Sequence, residues 1–301
     1  MTSDLTLPAP AKLNLFLHIT GRRPDGYHSL QTLFQFVDYG DELVFSAHDR
    51  LELVSDIPGL KSDDNLIMKA ARLLQEKTGS SAGVRIQLNK RLPMGGGLGG
   101  GSSDAATTLV GLNYLWNLRL SEDELAELGL QLGADVPVFV RGRAAFAEGV
   151  GEILTPVEPE EHWYLVLAPD CHVNTAKMFA HEELTRDTPV ITVCAALDTL
   201  HGSDTTTQCR NDFEPLVRGL YPEVDKWLTL LDNAGNSSAG QAAMSGSGAC
   251  VFAPYISREQ AEATKTLIGS DVNGFVARGV NRSPLQDRLS RLARYADNAR
   301  I

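Results

Sequence analysis

Residues 93–104 read Pro93-Met94-Gly95-Gly96-Gly97-Leu98-Gly99-Gly100-Gly101-Ser102-Ser103-Asp104, and this run joins a strand-like segment to a helix-like one. Because glycine has no Cβ, successive glycines can take positive φ angles and turn their N–H groups toward a shared anion. The start of the following helix adds unpaired N–H groups and the positive end of its dipole. We expect the two serines and the aspartate to cap that helix. The run therefore predicts a phosphate-binding loop.

Three other interpretations of the loop can be weighed against its sequence. A Gly-x-Gly-x-x-Gly pattern begins at Gly95, with Glu122 at about the right distance for a dinucleotide ribose, but so glycine-rich a tract satisfies many patterns. A Walker loop needs Gly-Lys-Ser or Gly-Lys-Thr, and no lysine lies between Lys90 and Lys177. A flexible linker is seldom followed at once by serines, an aspartate and a helix. Phosphate binding is therefore favoured.

The composition is that of an ordinary soluble globular chain, with 301 residues, 43% hydrophobic and 22% charged. At this length two domains are expected, because single cores seldom keep growing. The formal net charge of −11 disfavours nucleic acid and anionic membranes as partners. No targeting or spanning segment is visible, so a cytoplasmic location is expected. The cysteines are scattered and suggest neither disulfides nor a zinc site: Cys171, Cys194, Cys209 and Cys250.

Helix and strand patterns mix without a strict βαβ repeat, which predicts an α+β fold. Asn65 can cap a helix that Gly79 closes, and Ser121 with Glu124 forms a capping box for a helix that Gly133 ends. Further helices are predicted at 105–116, 175–184, 212–220, 221–231 and 258–268, and an exposed loop at 202–208. Strands are predicted at 12–19, 84–88, 136–140, 163–168, 249–253 and 274–280. Prolines and acids at 155–161 suggest a boundary, giving domains at 1–156 and 157–301.

A second glycine element, Ser245-Gly246-Ser247-Gly248, opens onto a strand. It suits either a tight turn or the closing side of a cleft. Together with Pro10-Ala11-Lys12-Leu13-Asn14-Leu15 and the 93–104 loop, it stands in the order of the three motifs of the GHMP kinase superfamily, which the sequence resembles from about Ala9 to Leu289. Shorter matches resemble the branch acting on a cytidine diphosphate-linked methylerythritol: Gly26-Tyr27-His28, Asp64-Asn65-Leu66-Ile67, Gly133-Ala134-Asp135-Val136-Pro137 and Asn281-Arg282-Ser283-Pro284.

The resemblance implies a two-domain GHMP kinase fold, with its active site between the domains, that phosphorylates the 2-hydroxyl of that substrate with ATP in the non-mevalonate route to isoprenoid precursors. Asp135 resembles the family's catalytic aspartate, and Lys12 the lysine beside it. As neighbours, the two side chains would orient and polarise the reacting hydroxyl. Without the resemblance, Asp135 would be read as a turn residue and Lys12 as a solvated strand residue.

The resemblance also implies how the substrates are held. Tyr27 and Phe179 would stack on cytosine while His28 reads the base edge, an arrangement that suits a flat ring with a polar edge. Asn14 and Thr175 resemble contacts to the erythritol or diphosphate. Val150 resembles a backbone contact near the base, and Asn65 a nucleotide contact. ATP would bind at Pro93, Met94, Gly95, Gly96, Gly97, Leu98, Gly99, Gly100, Gly101, Ser102 and Ser103.

ATP implies Mg²⁺, with Ser103 as the candidate ligand. The oligomeric state stays open, and a homodimer is one alternative. Three function classes can explain the glycine loop: this kinase, a nicotinamide oxidoreductase and a noncatalytic nucleotide-binding module. An oxidoreductase predicts a nearly unbroken parallel sheet, which the pattern lacks, and a binding module would not need Lys12 or Asp135. Within the kinases, the alternative is a relative acting on homoserine or mevalonate.

Overall fold

The computed structural model describes residues 4–57, 64–202, 209–234, 239–269 and 272–298. The strands are β1 Leu5–Arg22, β2 His28–Ser46, β3 Leu51–Ser55, β4 Val84–Asn89, β5 Ala145–Glu148, β6 Ile153–Pro156, β7 Trp163–Leu167, β8 Ala243–Met244, β9 Val251–Tyr255 and β10 Gly274–Val280. The helices are α1 Leu66–Thr78, α2 Gly100–Leu115, α3 Glu122–Leu132, α4 Val136–Arg141, α5 Thr175–Ala180, α6 Val193–Leu200, α7 Glu214–Leu220, α8 Pro222–Asn233, α9 Arg258–Ile268 and α10 Pro284–Asn298.

One mixed sheet connects the two halves of the chain, with strand order β3-β4-β2-β10-β7-β9-β8. The long β2 also pairs with β1 and β5, and β5 pairs with β6. Between the described strands, only β3 and β4 run parallel, joined through α1. The halves meet where β10 pairs with β2, at Gly279 opposite Val37 and Val280 opposite Phe36. The predicted α+β mixture, without a doubly wound sheet, is confirmed.

Local capping explains the helices that the sequence predicted most closely. The Asn65 side chain accepts a hydrogen bond from the backbone N–H of Ile67 at 2.9 Å, and Gly79 closes α1 in the left-handed conformation with φ 69°. Ser121 and Glu124 form the predicted capping box of α3. These signals lie within a few residues of each helix end, so they can be read from the sequence without knowledge of tertiary contacts.

The predicted strand at 136–140 is wrong, because this segment forms the short helix α4. Pro137 stands in its first turn, where a fixed φ and a missing N–H cost nothing, and Gly142 ends it with φ 61°. All five residues of the predicted strand are buried. A short, wholly apolar run has no periodicity that distinguishes a strand from a buried helix.

The predicted capping of the loop helix is also wrong. α2 begins at Gly100, five residues before the predicted start, and its N-cap is Gly99, which makes no side-chain capping bond. Ser102, Ser103 and Asp104 lie inside the first turns instead. A left-handed glycine turns the chain without a side chain, so the helix starts earlier and its first N–H groups keep no side-chain acceptor.

Among the described residues, the two largest hydrophobic cores lie on the two halves of the sheet, and two smaller ones accompany them, one of which contains residues of both β1 and β2 and of β7, β9 and β10. Of the two largest, the first is built by β1 to β5 with α1 to α4, and the second by β7 to β10 with α5 and α7 to α9, together with Leu17 and Ile19 of β1. Leu285 of α10 belongs to the first core, so the end of the described chain returns to the N-terminal half. The predicted boundary between residues 156 and 157 stays a prediction.

The remaining differences concern the ends of elements and unpredicted ones. α5 ends at residue 180, short of the predicted 184. The elements that were not predicted are α6, α10 and the strands β2, β3, β5, β6 and β8. Except for Gly202, the predicted loop at 202–208 lies outside the described residues. None of the described helices is long and apolar enough to cross a membrane.

Candidate active site

The glycine loop presents backbone rather than side chains. Gly95, Gly97 and Gly99 take positive φ angles of 68°, 75° and 71°. The N–H of Ser103 donates to the carbonyl of Gly99 at 2.8 Å, so the earlier N–H groups of α2 are those that a helix start leaves without a helical acceptor. Backbone donors at the positive end of a helix dipole suit an anion such as a nucleotide phosphate.

The two glycine elements contact each other directly. Ser245 Oγ donates to the carbonyl of Gly97 at 3.0 Å, and the N–H of Cys250 donates to the carbonyl of Gly96 at 3.1 Å. A Cβ at Gly97 would overlap the carbonyl oxygen of Ser245. Within the second element, the N–H of Gly248 donates to Ser245 at 3.0 Å. The second element therefore supports the first one rather than forming an isolated turn.

Lys12 lies between the glycine loop and Asp135. Its Nζ is 3.5 Å from the Asp135 carboxylate and donates to the carbonyl of Gly97 at 2.9 Å. It also donates to Oδ1 of Asn14 at 2.5 Å. The Lys12 side chain is 4% exposed, whereas that of Asp135 is 34% exposed. A buried cation thus lies beside a carboxylate that is accessible from the solvent.

Asn14 and Thr175 connect to the second glycine element. The Asn14 backbone N–H donates to Ser245 Oγ at 3.2 Å, and its side-chain amide donates to Thr32 Oγ1 at 2.8 Å. Thr175 Oγ1 lies 2.6 Å from Ser247 Oγ. The sequence pointed to four of these residues, Asn14, Thr175, Ser245 and Ser247, but not to Thr32, whose ordinary strand position carries no motif.

A pocket of about 430 Å³ brings together Tyr27, His28, Val150 and Phe179. The rings of His28 and Phe179 stack at 4.9 Å with an interplanar angle of 20°. Tyr27 is 65% exposed. The predicted residues therefore meet, but in the described structure it is His28 that covers Phe179. Ala134, which precedes Asp135, also lines the pocket, so the pocket adjoins the Lys12 pair.

Two other predicted contacts have structural partners. Asn65 caps α1, and its neighbour Leu66 lies 3.5 Å from the position of a Cβ on Gly101. This places the start of α1 beside the start of α2. The backbone N–H of Val150 donates to the Glu152 carboxylate at 2.6 Å. Met94, in contrast to the buried Leu98, is 65% exposed at the loop.

Sequence reasoning missed two polar residues that hold the site. Arg186 donates through Nε to Nε2 of His28 at 3.2 Å. Asn211 donates through Nδ2 to the carbonyls of Met244 and Gly246, each at 2.7 Å, and so supports the second glycine element. Neither residue stands in a motif, and these three bonds join residues more than thirty positions apart along the chain, so no local signal could have found them.

A buried ion cluster lies at the start of α2 and was also missed. Lys90 Nζ donates to Asp41 at 2.6 Å and to Asp104 at 2.8 Å. Burial raises the pKa of Asp104 to about 7, Lys90 opposes this, and Asp41 adds to it. Burial also opposes the charge of Lys90, but the two carboxylates together outweigh it and raise the pKa of Lys90. One cation thus faces two buried carboxyl groups.

The described residues offer few protein ligands for Mg²⁺, and Ser103 is the candidate among them. Among the described residues, no group of three or more His, Cys, Asp or Glu side chains could hold a metal. Ser103 Oγ is fully buried and has no hydrogen-bond partner in the described part of the chain, and a hydroxyl oxygen is a ligand type that Mg²⁺ accepts. Phosphate oxygens and water would have to supply most of the coordination.

The comparisons with known families agree with the fold. A model of the GHMP kinases N terminal domain matches residues 65–143, and one of the GHMP kinases C terminal matches residues 195–266. The fold and the site together define a GHMP kinase, an ATP-dependent small-molecule kinase. The oxidoreductase alternative is not supported. Glu122, the residue that would bind the ribose of a dinucleotide, is the first residue of α3 and forms an ion pair with Arg141.

Proteins with similar sequences indicate which branch of the GHMP kinases this chain belongs to. A 4-diphosphocytidyl-2-C-methyl-D-erythritol kinase from Pseudomonas syringae pv. syringae is 55% identical over 290 residues, covering 96% of this chain and 98% of its own. One from Marinobacter nauticus is 53% identical over 296 residues, covering 97% and 100%. A crystal structure of 4-(cytidine 5'-diphospho)-2C-methyl-D-erythritol kinase is 34% identical with a TM-score of 0.79, covering 91% and 99%. The chain belongs to the 4-diphosphocytidyl-2-C-methyl-D-erythritol kinase family, which confirms the resemblance expected from the sequence.

Proposed function

We propose that this chain transfers the γ-phosphoryl group of ATP to the 2-hydroxyl of 4-diphosphocytidyl-2-C-methyl-D-erythritol, releasing ADP. Relatives of more than 50% identity carry that kinase name. One structural observation supports the proposal most: Lys12 contacts both the glycine loop and Asp135, and the pocket with His28 adjoins Asp135. The proposed phosphate site, proton acceptor and base pocket therefore lie next to one another in the structure.

Asp135 is proposed to accept the proton of the substrate hydroxyl. Its carboxylate is partly exposed, and the Lys12 ammonium beside it would attract the developing alkoxide. In a loose phosphoryl-transfer transition state, proton loss can follow much of the bond breaking. The pair therefore acts mainly by orienting and polarising the hydroxyl, whichever step comes first.

The ATP phosphates are proposed to bind at residues 93–103, and Asn65 would contact the nucleotide at the start of α1. Positive-φ glycines let the phosphates approach the backbone closely, and the open start of α2 supplies N–H donors. Mg²⁺ would neutralise phosphate charge there, which the net charge of −11 makes necessary, with Ser103 as a protein ligand.

The cytidine part is proposed to bind in the pocket of Tyr27, His28, Val150 and Phe179. Phe179 already presents a face to a parallel ring, that of His28, and Tyr27 is exposed and so can close over an entering base. Asn14 and Thr175 would contact the erythritol diphosphate, together with Ser247, to which Thr175 is bonded.

The decisive experiment measures ADP release with MgATP and one alcohol at a time. We expect turnover with the cytidylyl-methylerythritol substrate and negligible turnover with homoserine or mevalonate. Equal rates with either of those alcohols would refute the specific substrate and favour the alternative GHMP-type kinases. The same assay without any alcohol measures background ATP hydrolysis. The expected cytoplasmic location and the homodimer alternative stay predictions.

A further inference from the structure

Arg186 makes a hydrogen bond to a side chain that lines the proposed base pocket. Its Nε–H donates to Nε2 of His28 at 3.2 Å. The same guanidinium donates to the carbonyls of Leu184 at 3.0 Å, Phe179 at 2.8 Å and His181 at 2.6 Å. Because the guanidinium is planar and all four bonds use it, the direction of its Nε–H is held firmly.

This contact decides which nitrogen of His28 carries the ring proton. A guanidinium only donates and keeps its protons, so Nε2 must be the acceptor. A neutral imidazole has one donor nitrogen and one acceptor nitrogen, so the proton lies on Nδ1. Nδ1 has no hydrogen-bond partner in the described part of the chain. Toward any ligand, the ring is therefore a donor and not an acceptor.

The surroundings of His28 keep the ring neutral. Burial lowers the pKa of His28, and the charges of Arg186 and Arg22 lower it further. Arg22 faces His28 across the β1–β2 pairing, and Arg186 follows α5. Among the described residues, no carboxylate forms an ion pair with His28, so nothing there favours the protonated ring. Because its pKa is lowered, the His28 ring takes up a second proton only at a pH below that at which an ordinary histidine does so.

We propose that Arg186 is a positioning residue that sets base specificity, because by occupying Nε2 it locks His28 as an Nδ1–H donor. This rests on the proposed function, which places the substrate base in this pocket. Cytosine has an acceptor at N3, whereas uracil has an N3–H donor at the same place. A uracil base would set two donors against each other, and an unpaired buried polar group costs about tenfold or more in binding. Without Arg186, His28 can take its other tautomer and accept from uracil.

The first test reads the tautomer directly. Long-range ¹H–¹⁵N spectra of the substrate-free protein, with His28 assigned by comparison with His28→Gln, are expected to show a protonated Nδ1 and an acceptor Nε2. In Arg186→Met, we expect the signal of the Nε2–H tautomer to appear. An Nε2–H tautomer in the unmodified protein overturns the inference. No substrate is needed, so this result is independent of the proposed function.

The second test compares kcat/KM for the cytidine substrate and its uridine analogue. We expect the cytidine-to-uridine ratio to fall about tenfold or more in Arg186→Met, and to recover in part in Arg186→Lys, which keeps a cation with donors. The matched control Lys177→Met removes an exposed cation of α5 that makes no hydrogen bond to His28 and does not line the pocket, and should keep the ratio. The KM for ATP should be unchanged in all three variants.

The outcomes separate the two proposals. An unchanged ratio in a folded Arg186→Met protein refutes the specificity role of Arg186. If the unmodified protein turns over neither base analogue, the proposed function fails while the tautomer result still stands. Arg186 also binds three backbone carbonyls, so if Arg186→Met unfolds the end of α5, the Arg186→Lys ratio and the spectrum of the unmodified protein decide.

Discussion

At the scale of single residues, the proposed proton transfer depends on the Asp135 carboxylate, whose ion-pair partner Lys12 is buried. Asp135→Asn keeps the shape of the side chain but cannot accept a proton, so we expect kcat to fall by orders of magnitude. The KM for ATP should change little, because the proposed role of Asp135 is toward the alcohol and not toward the nucleotide, and its neighbour Ala134 lines the proposed base pocket. The matched control is Asp123→Asn, an exposed α3 carboxylate paired with Arg141. Unchanged kcat in Asp135→Asn would remove this residue from the mechanism.

The Lys90 cluster predicts how stability depends on pH. Burial raises the pKa of Asp104 to about 7, whereas in the unfolded chain it lies near about 4. Between these values the folded protein binds more protons than the unfolded one, so this carboxyl stabilises the fold at low pH and loses that contribution as the pH rises. In free energy of unfolding, the loss is on the order of 1 kcal/mol per pH unit between about pH 5 and 7.

Asp104→Asn isolates this contribution. The amide can still accept from Lys90 but does not titrate, so the stability difference between the unmodified protein and the variant should shift by on the order of 1 kcal/mol per pH unit toward the variant. Urea unfolding at several pH values between 5 and 8 measures it. Asp123→Asn, whose target is exposed, should leave the pH dependence of stability as it is. A parallel pH profile for Asp104→Asn would mean that the buried carboxyl does not titrate in this range.

At the scale of elements, the glycine loop needs particular backbone angles at particular positions. Gly97 has φ 75° and its missing Cβ makes room for the Ser245 carbonyl, so Gly97→Ala should destabilise the fold by roughly 1 to 3 kcal/mol and weaken MgATP binding. Gly101 is the matched control: it lies in α2, its φ is not positive, and a Cβ there meets only Leu66 at 3.5 Å.

The change in stability caused by the control, Gly101→Ala, should differ from that of Gly97→Ala in sign as well as in size. Because alanine favours a helix over glycine, Gly101→Ala is expected to leave stability unchanged or raise it by roughly 0.5 to 1 kcal/mol. Urea unfolding without nucleotide measures both variants, and an MgATP titration follows. Equal losses of stability in Gly97→Ala and Gly101→Ala would show that the contact with the second glycine element is not what requires Gly97.

The elements that the sequence predicted well are those whose ends are set locally. α1, α3 and β4 follow from caps and alternation, and α9 and β10 agree with their predicted bounds. The stretch that became α4 could not be predicted, since its buried apolar run fits either state. The residues of the predicted site came from ordered motifs, whereas Arg186, Asn211 and Asp41 act through partners that only the folded chain brings near. Long-range polar contacts of this kind leave no periodic trace in a sequence.

At the scale of the whole molecule, helix α10, near the end of the described chain, packs into the core formed by the N-terminal half. Leu285 of α10 is 1% exposed in the first core, so Leu285→Ala should cost about 2 to 5 kcal/mol of stability. The exposed Leu267 of α9 is the matched control and should cost within about 0.5 kcal/mol. In hydrogen exchange, Leu285→Ala should lower protection first in β1 and α2, because the cavity opens in their core. Protection lost first in β7 and β9 would instead assign α10 to the second half.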